Sequence, residues 1–299
     1  MKPIKSFAII GMVITMMMGL SVLNANAQSK HALLIGISDY GNDKEDPDMW
    51  ANINGANDVK LLQPLFIKQG FKVTSLVDTK ATYAAIIKAL DLLVKNCKKG
   101  DLVYIHFSMH GQPVEDLNGD EKDGWDEALI PVDAQMRYAK GVYEGENHLI
   151  DDILEKHFNK LRTKLGIGGQ LYVVLDACHS GTASRGDDEY VRGVFSGFSR
   201  SGKIYTPDRT FETNDYFHVP TQAGQSPVTF IEACRSYQQN KEVRDKNTSM
   251  WYGSLSYYVA QSMKNNAIDK SGKWIEDVKK GMDNDTRLRK QNMVIEKSK

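Results

Sequence analysis

Along this chain, short continuous apolar runs alternate with longer stretches in which apolar residues recur at helical spacing. Residues 31–37 are apolar almost throughout and rich in β-formers, the pattern of a strand buried on both faces. Val59, Leu62, Leu65 and Phe66 follow at helix spacing, with Pro64 expected to kink or shorten that helix and Gly70 to end it. Residues 71–77 read as a second strand. Thr79 or Thr82 can cap a second helix, which carries Tyr83, Ile86, Ile87, Leu90 and Leu93 on one face and stops at Gly100. Residues 101–107 form a third strand. An acidic, glycine-rich loop then spans 115–127, followed by a short strand at 128–131 and an amphipathic helix at 150–165 with Asp151 and Asp152 at its start. The fourth strand, 170–176, runs directly into Ala177-Cys178-His179-Ser180-Gly181. Periodicity is lost from 183 to 226, which predicts a long exposed linker. It returns in a strand at 228–233, helices at 254–263 and 274–282, and an edge strand at 292–296. Strands alternating with helices over short links predict an α/β fold with a mostly parallel sheet between helices.

The first 27 residues stand apart. Lys2 and Lys5 precede an apolar run from 7 to 23, and Ala25-Asn26-Ala27 gives a small-x-small cleavage site before Gln28. This is the pattern of a secretory signal peptide; an uncleaved anchor is the alternative, which the cleavage site disfavours. The expectation is a periplasmic or secreted protein, off the membrane once residues 1–27 are removed. The remaining 28–299 read as one domain, with a larger part at 28–182, a linker at 183–226 and a smaller part at 227–299. Lys+Arg and Asp+Glu are equal at 38 each, a balance that argues against a nucleic-acid partner. Three cysteines, Cys97, Cys178 and Cys234, do not make a disulfide scaffold. Cys97 and Cys234 read as small buried apolar residues, and without a Cys-x-x-Cys a zinc or dithiol site is disfavoured.

Parallel strands end on one edge of their sheet, where ligands bind. The third strand ends at Ser108-Met109-His110-Gly111 and the fourth at Cys178, so a histidine and a thiol meet on that edge if the strands are neighbours. A nearby imidazole raises the nucleophilicity of a thiol, and the N–H groups of Gly111 and Cys178 could hold an oxyanion. The chemistry expected is acyl transfer from a peptide bond through a thioester, with no cofactor needed. His179 is a poorer base, because neighbours on an extended chain point opposite ways.

In order along the chain, residues 32–37 (ALLIGI), 57–59 (NDV), 108–111 (SMHG), 123–127 (DGWDE), 131–133 (PVD), 150–152 (IDD), 176–181 (DACHSG) and 233–242 resemble the successive motifs of the caspase-like cysteine peptidases of the C14 family. The nearest branch looks like the metacaspases and bacterial orthocaspases. Met109 stands where the family usually has glycine, and Ala177 where serine is common. The resemblance implies a three-layer caspase-like sandwich with a six-stranded, mostly parallel sheet, and a monomeric cysteine endopeptidase with His110 and Cys178 as its dyad and Gly111 at the oxyanion hole. Alternatives are a clostripain- or gingipain-like peptidase, or a catalytically weak homologue acting as an interaction module.

By the same resemblance, Asp58 and Asp176, with Ser108 beside them, match an acidic pocket for the side chain before the cut, so protein or peptide substrates with arginine or lysine there are expected. Carboxylates bind guanidinium and ammonium groups well. The basic residues Arg185, Arg192, Arg200, Lys203 and Arg209 in the linker are candidate sites of self-cleavage. Asp116, Asn118, Asp120 and Glu127 have the spacing of a calcium-binding loop, but Glu121 occupies the position that needs glycine. The family instead implies an activating calcium at Asp126, Asp151 and Asp152, with a further ligand position falling at Arg185, near Asp187 and Asp188.

Overall fold

The computed structural model describes residues 28–178, 190–194, 196–207 and 216–298. The signal-like segment, His179, Gly181, Arg185, Asp187, Asp188 and Arg209 lie outside the described residues. The apolar runs become strands β1 (Lys30–Gly36), β2 (Lys72–Val77), β3 (Leu102–Ser108), β7 (Gln170–Asp176), β9 (Val228–Glu232) and β12 (Val294–Ser298). The helices between and after them are α1 (Gly55–Lys68), α2 (Tyr83–Asn96), α3 (Asp151–Leu165), α4 (Ser254–Ser262) and α5 (Lys273–Asn284). With β8 (Tyr216–Val219) these strands form one sheet in the order β2-β1-β3-β7-β9-β12-β8. Every neighbouring pair is parallel except β12 against β9. The sheet thus holds the six expected strands and one more.

Side-chain alternation along each strand divides the core into two layers. Leu33, Ile35, Ile105, Phe107 and Val173 face α2 and α3, meeting Ile86, Leu90, Leu154, Phe158 and Leu161. Ala32, Leu34, Tyr104 and Val174 point the other way, onto Val59, Leu62 and Phe66 of α1, Val259 of α4 and Trp274 of α5. Burying such a side chain contributes about 1.5–3 kcal/mol, so the two faces account for the three-layer form.

Several expectations shift. Pro64 lies inside α1, which runs on to Lys68. The proline is exposed, so the carbonyl it strands can bond water, while Leu62 and Phe66 anchor the opposite face. Thr82, rather than Thr79, caps α2, accepting from the Ala85 N–H at 3.2 Å. The 128–131 strand starts earlier, as β5 (Trp125–Leu129), because Trp125 is buried. The last strand is not an edge: β8, which comes out of the 183–226 stretch, pairs along its outer side. Nor is that stretch uniformly exposed, since Val191, Arg192, Val194 and Phe198 are buried.

Two small sheets complete the described fold. One is antiparallel β4-β5-β6, with β4 Gly111–Glu115 following β3 and β6 Leu149–Ile150 leading into α3. The other is a hairpin of β10 Glu242–Arg244 and β11 Trp251–Gly253. Among the described residues no helix is long and apolar enough to cross a membrane.

Candidate active site

The register Ser108↔Asp176 aligns the ends of β3 and β7, and both His110 and Cys178 lie two residues beyond that pair. His110 is buried. Its ring stacks on Trp50 at 5.1 Å and lies 5.0 Å from Tyr40. The Tyr40 hydroxyl accepts the His110 backbone N–H at 3.1 Å and donates to the Ile130 carbonyl at 3.0 Å. His110 Nε2 is 2.8 Å from the Ala51 carbonyl, which can only accept, so Nε2 carries the proton and Nδ1 is the basic nitrogen. That Nδ1 is buried with no hydrogen-bond partner among the described residues. Burial pushes the imidazole down to about 4, against the Ala51 bond, which raises it, and with the Arg192 charge also lowering it. The ring is therefore neutral at pH 7.

The Cys178 thiol donates to the Gln238 carbonyl at 2.6 Å, and the Cys234 thiol reaches the same oxygen at 3.5 Å. A hydrogen bond with Cys178, then burial, pushes the Cys234 thiol well above its ordinary range. Cys234 is thus buried as expected, but next to the candidate nucleophile. Cys97 is remote from the site, and burial pushes its thiol up to about 12. Gly111 opens β4 opposite Leu129.

The structure brings Asp58, Ser108 and Asp176 together. Asp58 sits in the first turn of α1, and Ser108 and Asp176 end β3 and β7; all three are fully buried. Glu242, at the start of β10, is a fourth member that the sequence pattern does not single out. Each carboxylate is held by other groups: Asp58 by the Gly253 N–H at 3.0 Å, Asp176 by Asn240 Nδ2 at 2.7 Å and by the Ser256 N–H and Oγ–H at 2.7 and 2.6 Å, Glu242 by the Asn54 N–H at 2.8 Å. Ser108 donates to Asp58.

Between them lies Arg192. Expected on an exposed loop, it is fully buried, with Nη2 2.7 Å from Asp58 and 2.9 Å from Glu242, and Nη1 3.5 Å from Asp176 and 2.6 Å from Ser108 Oγ. The physical reason for the correction is charge: three buried carboxylates need a cation, and the guanidinium forks between them. Burial acts to raise Asp176, but Arg192, Asn240 and Ser256 outweigh it and hold that carboxyl low. Burial pushes Asp58 up to about 7, despite Arg192. Gly253 leaves room for the group, since a Cβ there would overlap both Asp176 and Arg192.

The backbone around Arg192 lies as an added strand. Its N–H donates to the Asn240 carbonyl at 3.0 Å, Glu242 N–H donates to Tyr190 O at 3.0 Å, and Val191 pairs antiparallel with Lys241. Gly193, at φ 133°, lies so close to Cys178 that a Cβ would overlap the Cys178 carbonyl oxygen. Arg192 thus sits among the carboxylates while the next residue, Gly193, packs against the backbone of Cys178.

A second acidic group involves neither His110 nor Cys178. Asp116, Asp120 and Asp126 each offer a carboxylate oxygen within 4.8 Å of the others. Asp151 adjoins them: burial, then Asp126, pushes it up to about 7, and its buried Oδ1 has no hydrogen-bond partner among the described residues. Asp152 accepts from Asn118 Nδ2 at 3.0 Å. Of the expected trio, Asp126 belongs to the converging group, with Asp116 and Asp120 of the acidic loop, while Asp151 and Asp152 lie nearby outside it. Beside it a cavity of about 700 Å³ is lined by Glu127, Asp151, Glu232, Phe217 and Phe230; neither His110 nor Cys178 lines it.

Comparisons with known proteins place the chain in a family. The family profile described as "Metacaspase, peptidase C14 domain" matches residues 30–185. Metacaspase-1B of Aspergillus oryzae is 37% identical over 151 residues, covering 50% of this chain and 31% of that protein. Metacaspase-2 of Arabidopsis thaliana is 30% identical over 241 residues, covering 78% of this chain and 52% of that protein. This chain thus spans about a third to a half of the length of these curated relatives. The crystal structure of a protein from Geobacter sulfurreducens superposes with a TM-score of 0.57 over 90% of this chain and 93% of that one, at 20% identity, a likeness of fold.

Proposed function

This chain belongs to the metacaspase family of C14 peptidases, and from that premise we propose that it is a cysteine endopeptidase that cuts after arginine or lysine and cuts itself at Arg192–Gly193. The observation that carries the reading is Arg192, seated among Asp58, Ser108, Asp176 and Glu242 with Gly193 against Cys178. The Cys178 thiolate attacks the carbonyl carbon of the bond, and His110 Nδ1 takes the thiol proton and returns it to the leaving amine. N–H groups of Gly111 and Cys178 receive the oxyanion. Water, deprotonated by His110, then releases the thioester. The neutral imidazole and its free Nδ1 suit the first proton transfer. The signal-like residues 1–27 support a periplasmic or secreted place of action, and the balanced charge supports peptide rather than nucleic-acid substrates.

Fluorogenic peptides differing only in the residue before the cut test this. Arginine and lysine peptides are expected to be cleaved and the aspartate peptide at least about 100-fold less well, since its carboxylate would be buried beside three others. Cleavage of the aspartate peptide with the arginine peptide untouched would falsify the reading.

Calcium is the proposed activator. The unpartnered Asp151 oxygen and the converging carboxylates of Asp116, Asp120 and Asp126 fit a hard cation that takes oxygen ligands, with Asp152 nearby, where burial, then the charges of Asp116 and Asp152, raise Asp126. A bound ion would neutralise this acidic cluster. Activity on the arginine peptide is expected to fall severalfold with a chelator and return on adding calcium. The Asp151→Asn protein should not respond, and a wild type indifferent to chelator removes the idea.

A further inference from the structure

We infer that the edge of β4 away from β5, with the aromatic pocket beside it, is a second substrate-binding site that takes the peptide strand downstream of the cut and selects an aromatic side chain six residues after it. The inference rests on the reading of Arg192–Gly193 as a scissile bond.

One edge of β4 pairs with β5, and the other is covered by the chain's own segment from 196 on. Phe198 N–H donates to the Pro113 carbonyl at 2.7 Å, and Glu115 N–H donates to the Phe198 carbonyl at 2.9 Å. Gln112, fully buried, donates from Nε2 to the Ser196 carbonyl at 2.9 Å. Its Oε1 accepts from His148 Nε2 at 3.0 Å, and the Tyr143 hydroxyl donates to His148 Nδ1 at 2.9 Å, which fixes the orientation of the amide. These contacts are made to the backbone of the segment and do not depend on its side chains. This is strand addition, in which main-chain bonds give affinity and side-chain pockets give specificity.

The pocket belongs to Phe198, which is 2% exposed. Its ring lies 4.3 Å from His148, 5.8 Å from Tyr143 and 5.9 Å from Tyr138, the two tyrosines edge-on. Such aromatic pairs each add about 0.5–1.5 kcal/mol beyond area burial. Past the ring, Ser199 and Ser201 donate hydroxyls to Glu115 at 2.7 and 2.5 Å, and the segment then reaches Ile204, whose side chain is in solvent.

Counting from Gly193, Phe198 is the sixth residue after the proposed cut. Once that bond is broken, residues from 193 on are the leaving side of a cleaved substrate, held on this edge by non-covalent contacts. The groups that hold the leaving side of the chain's own bond are equally able to hold that of a separate polypeptide. The occupant is thus an extended substrate strand with an aromatic residue in that register.

The test uses the full chain carrying Phe198→Ala, which vacates the pocket. Two quenched peptides spanning residues 188–203 are offered to it, one natural and one with alanine at 198. The natural peptide should be cut about 10-fold more efficiently, chiefly through KM. Self-cleavage of the Phe198→Ala chain should be about 10-fold slower than that of wild type, and Phe198→Leu should fall between them. A short arginine substrate with no downstream residues serves as the control. Equal cleavage of the two peptides by an enzyme that still cuts the control overturns the site while leaving the endopeptidase reading intact, and makes the segment a permanent packing element. No cleavage of the control by wild type overturns both. If that variant does not fold, Phe198→Val, which keeps part of the packing but leaves the ring's space open, is offered the same pair and is expected to show the same preference, and equal cleavage there overturns the site as well.

Discussion

Asp176→Asn is expected to lower kcat/KM for an arginine peptide by about 100- to 1,000-fold while leaving the dyad in place. Both oxygens of this carboxylate are committed, one to Asn240 Nδ2 and the other to the Ser256 N–H and hydroxyl. An amide offers one acceptor and turns its NH2 toward a donor, so the substitution removes a charge and also breaks the bonds that aim it. Losing one partner of a buried, hydrogen-bonded ion pair costs about 3–5 kcal/mol, and each 1.36 kcal/mol is tenfold. Asp58→Asn is expected to cost less, about tenfold, because burial already pushes Asp58 up to about 7 and part of its charge is absent at neutral pH. Steady-state kinetics on one arginine substrate decides the order. If Asp176→Asn keeps wild-type kcat/KM, Asp176 does not bind the substrate's cation. If the Asp58 variant is the more damaged, the assignment of charge within the pocket is reversed.

The uneven legibility of this site in the sequence has physical causes. His110 and Cys178 could be paired because parallel strands end on one edge, and strand ends are marked by where apolar runs stop. Asp58, Ser108 and Asp176 could be named because they sit at element ends and match family motifs. Glu242 could not be: it opens a three-residue strand, too short for a period to show which way its side chain faces. Trp50 and Tyr40, which wall in His110, come from a loop rich in Asp, Asn, Gly and Pro, where nothing in local spacing signals burial. The 183–226 stretch reads as a solvated linker because Gly, Ser, Arg, Asp and Thr recur in it without a period, yet Val191, Arg192, Val194 and Phe198 are buried. Their burial depends on two distant partners, the acidic pocket and the β4 edge, which no local pattern reports. The same holds for β8, which converts β12 from an edge into an interior strand.

Cys178→Ala should abolish self-cleavage and leave one full-length species, with turnover of an arginine peptide lowered by at least about 10,000-fold, the scale of loss on removing a nucleophile. Arg192→Ala is the informative partner. Without its side chain the 192–193 bond has nothing to seat in the acidic pocket, so this chain too should remain uncut there, yet its pocket is open and it should cleave a small arginine peptide without first being processed. Arg192→Lys keeps a cation among the three carboxylates and should still be cut, which separates loss of recognition from loss of folding. The other described basic residues of the segment do not substitute: Arg200 is bonded to the Glu144 carbonyl and Lys203 to that of Gly124, both away from the pocket. Mass spectrometry of the purified chains reads the outcome directly. A fragment beginning at Gly193 in wild type and Arg192→Lys, absent from Cys178→Ala and Arg192→Ala, is the expected pattern. The same fragment in Cys178→Ala would mean that another protease makes the cut, and wild type indistinguishable from Cys178→Ala would reduce Arg192 to an inhibitory plug.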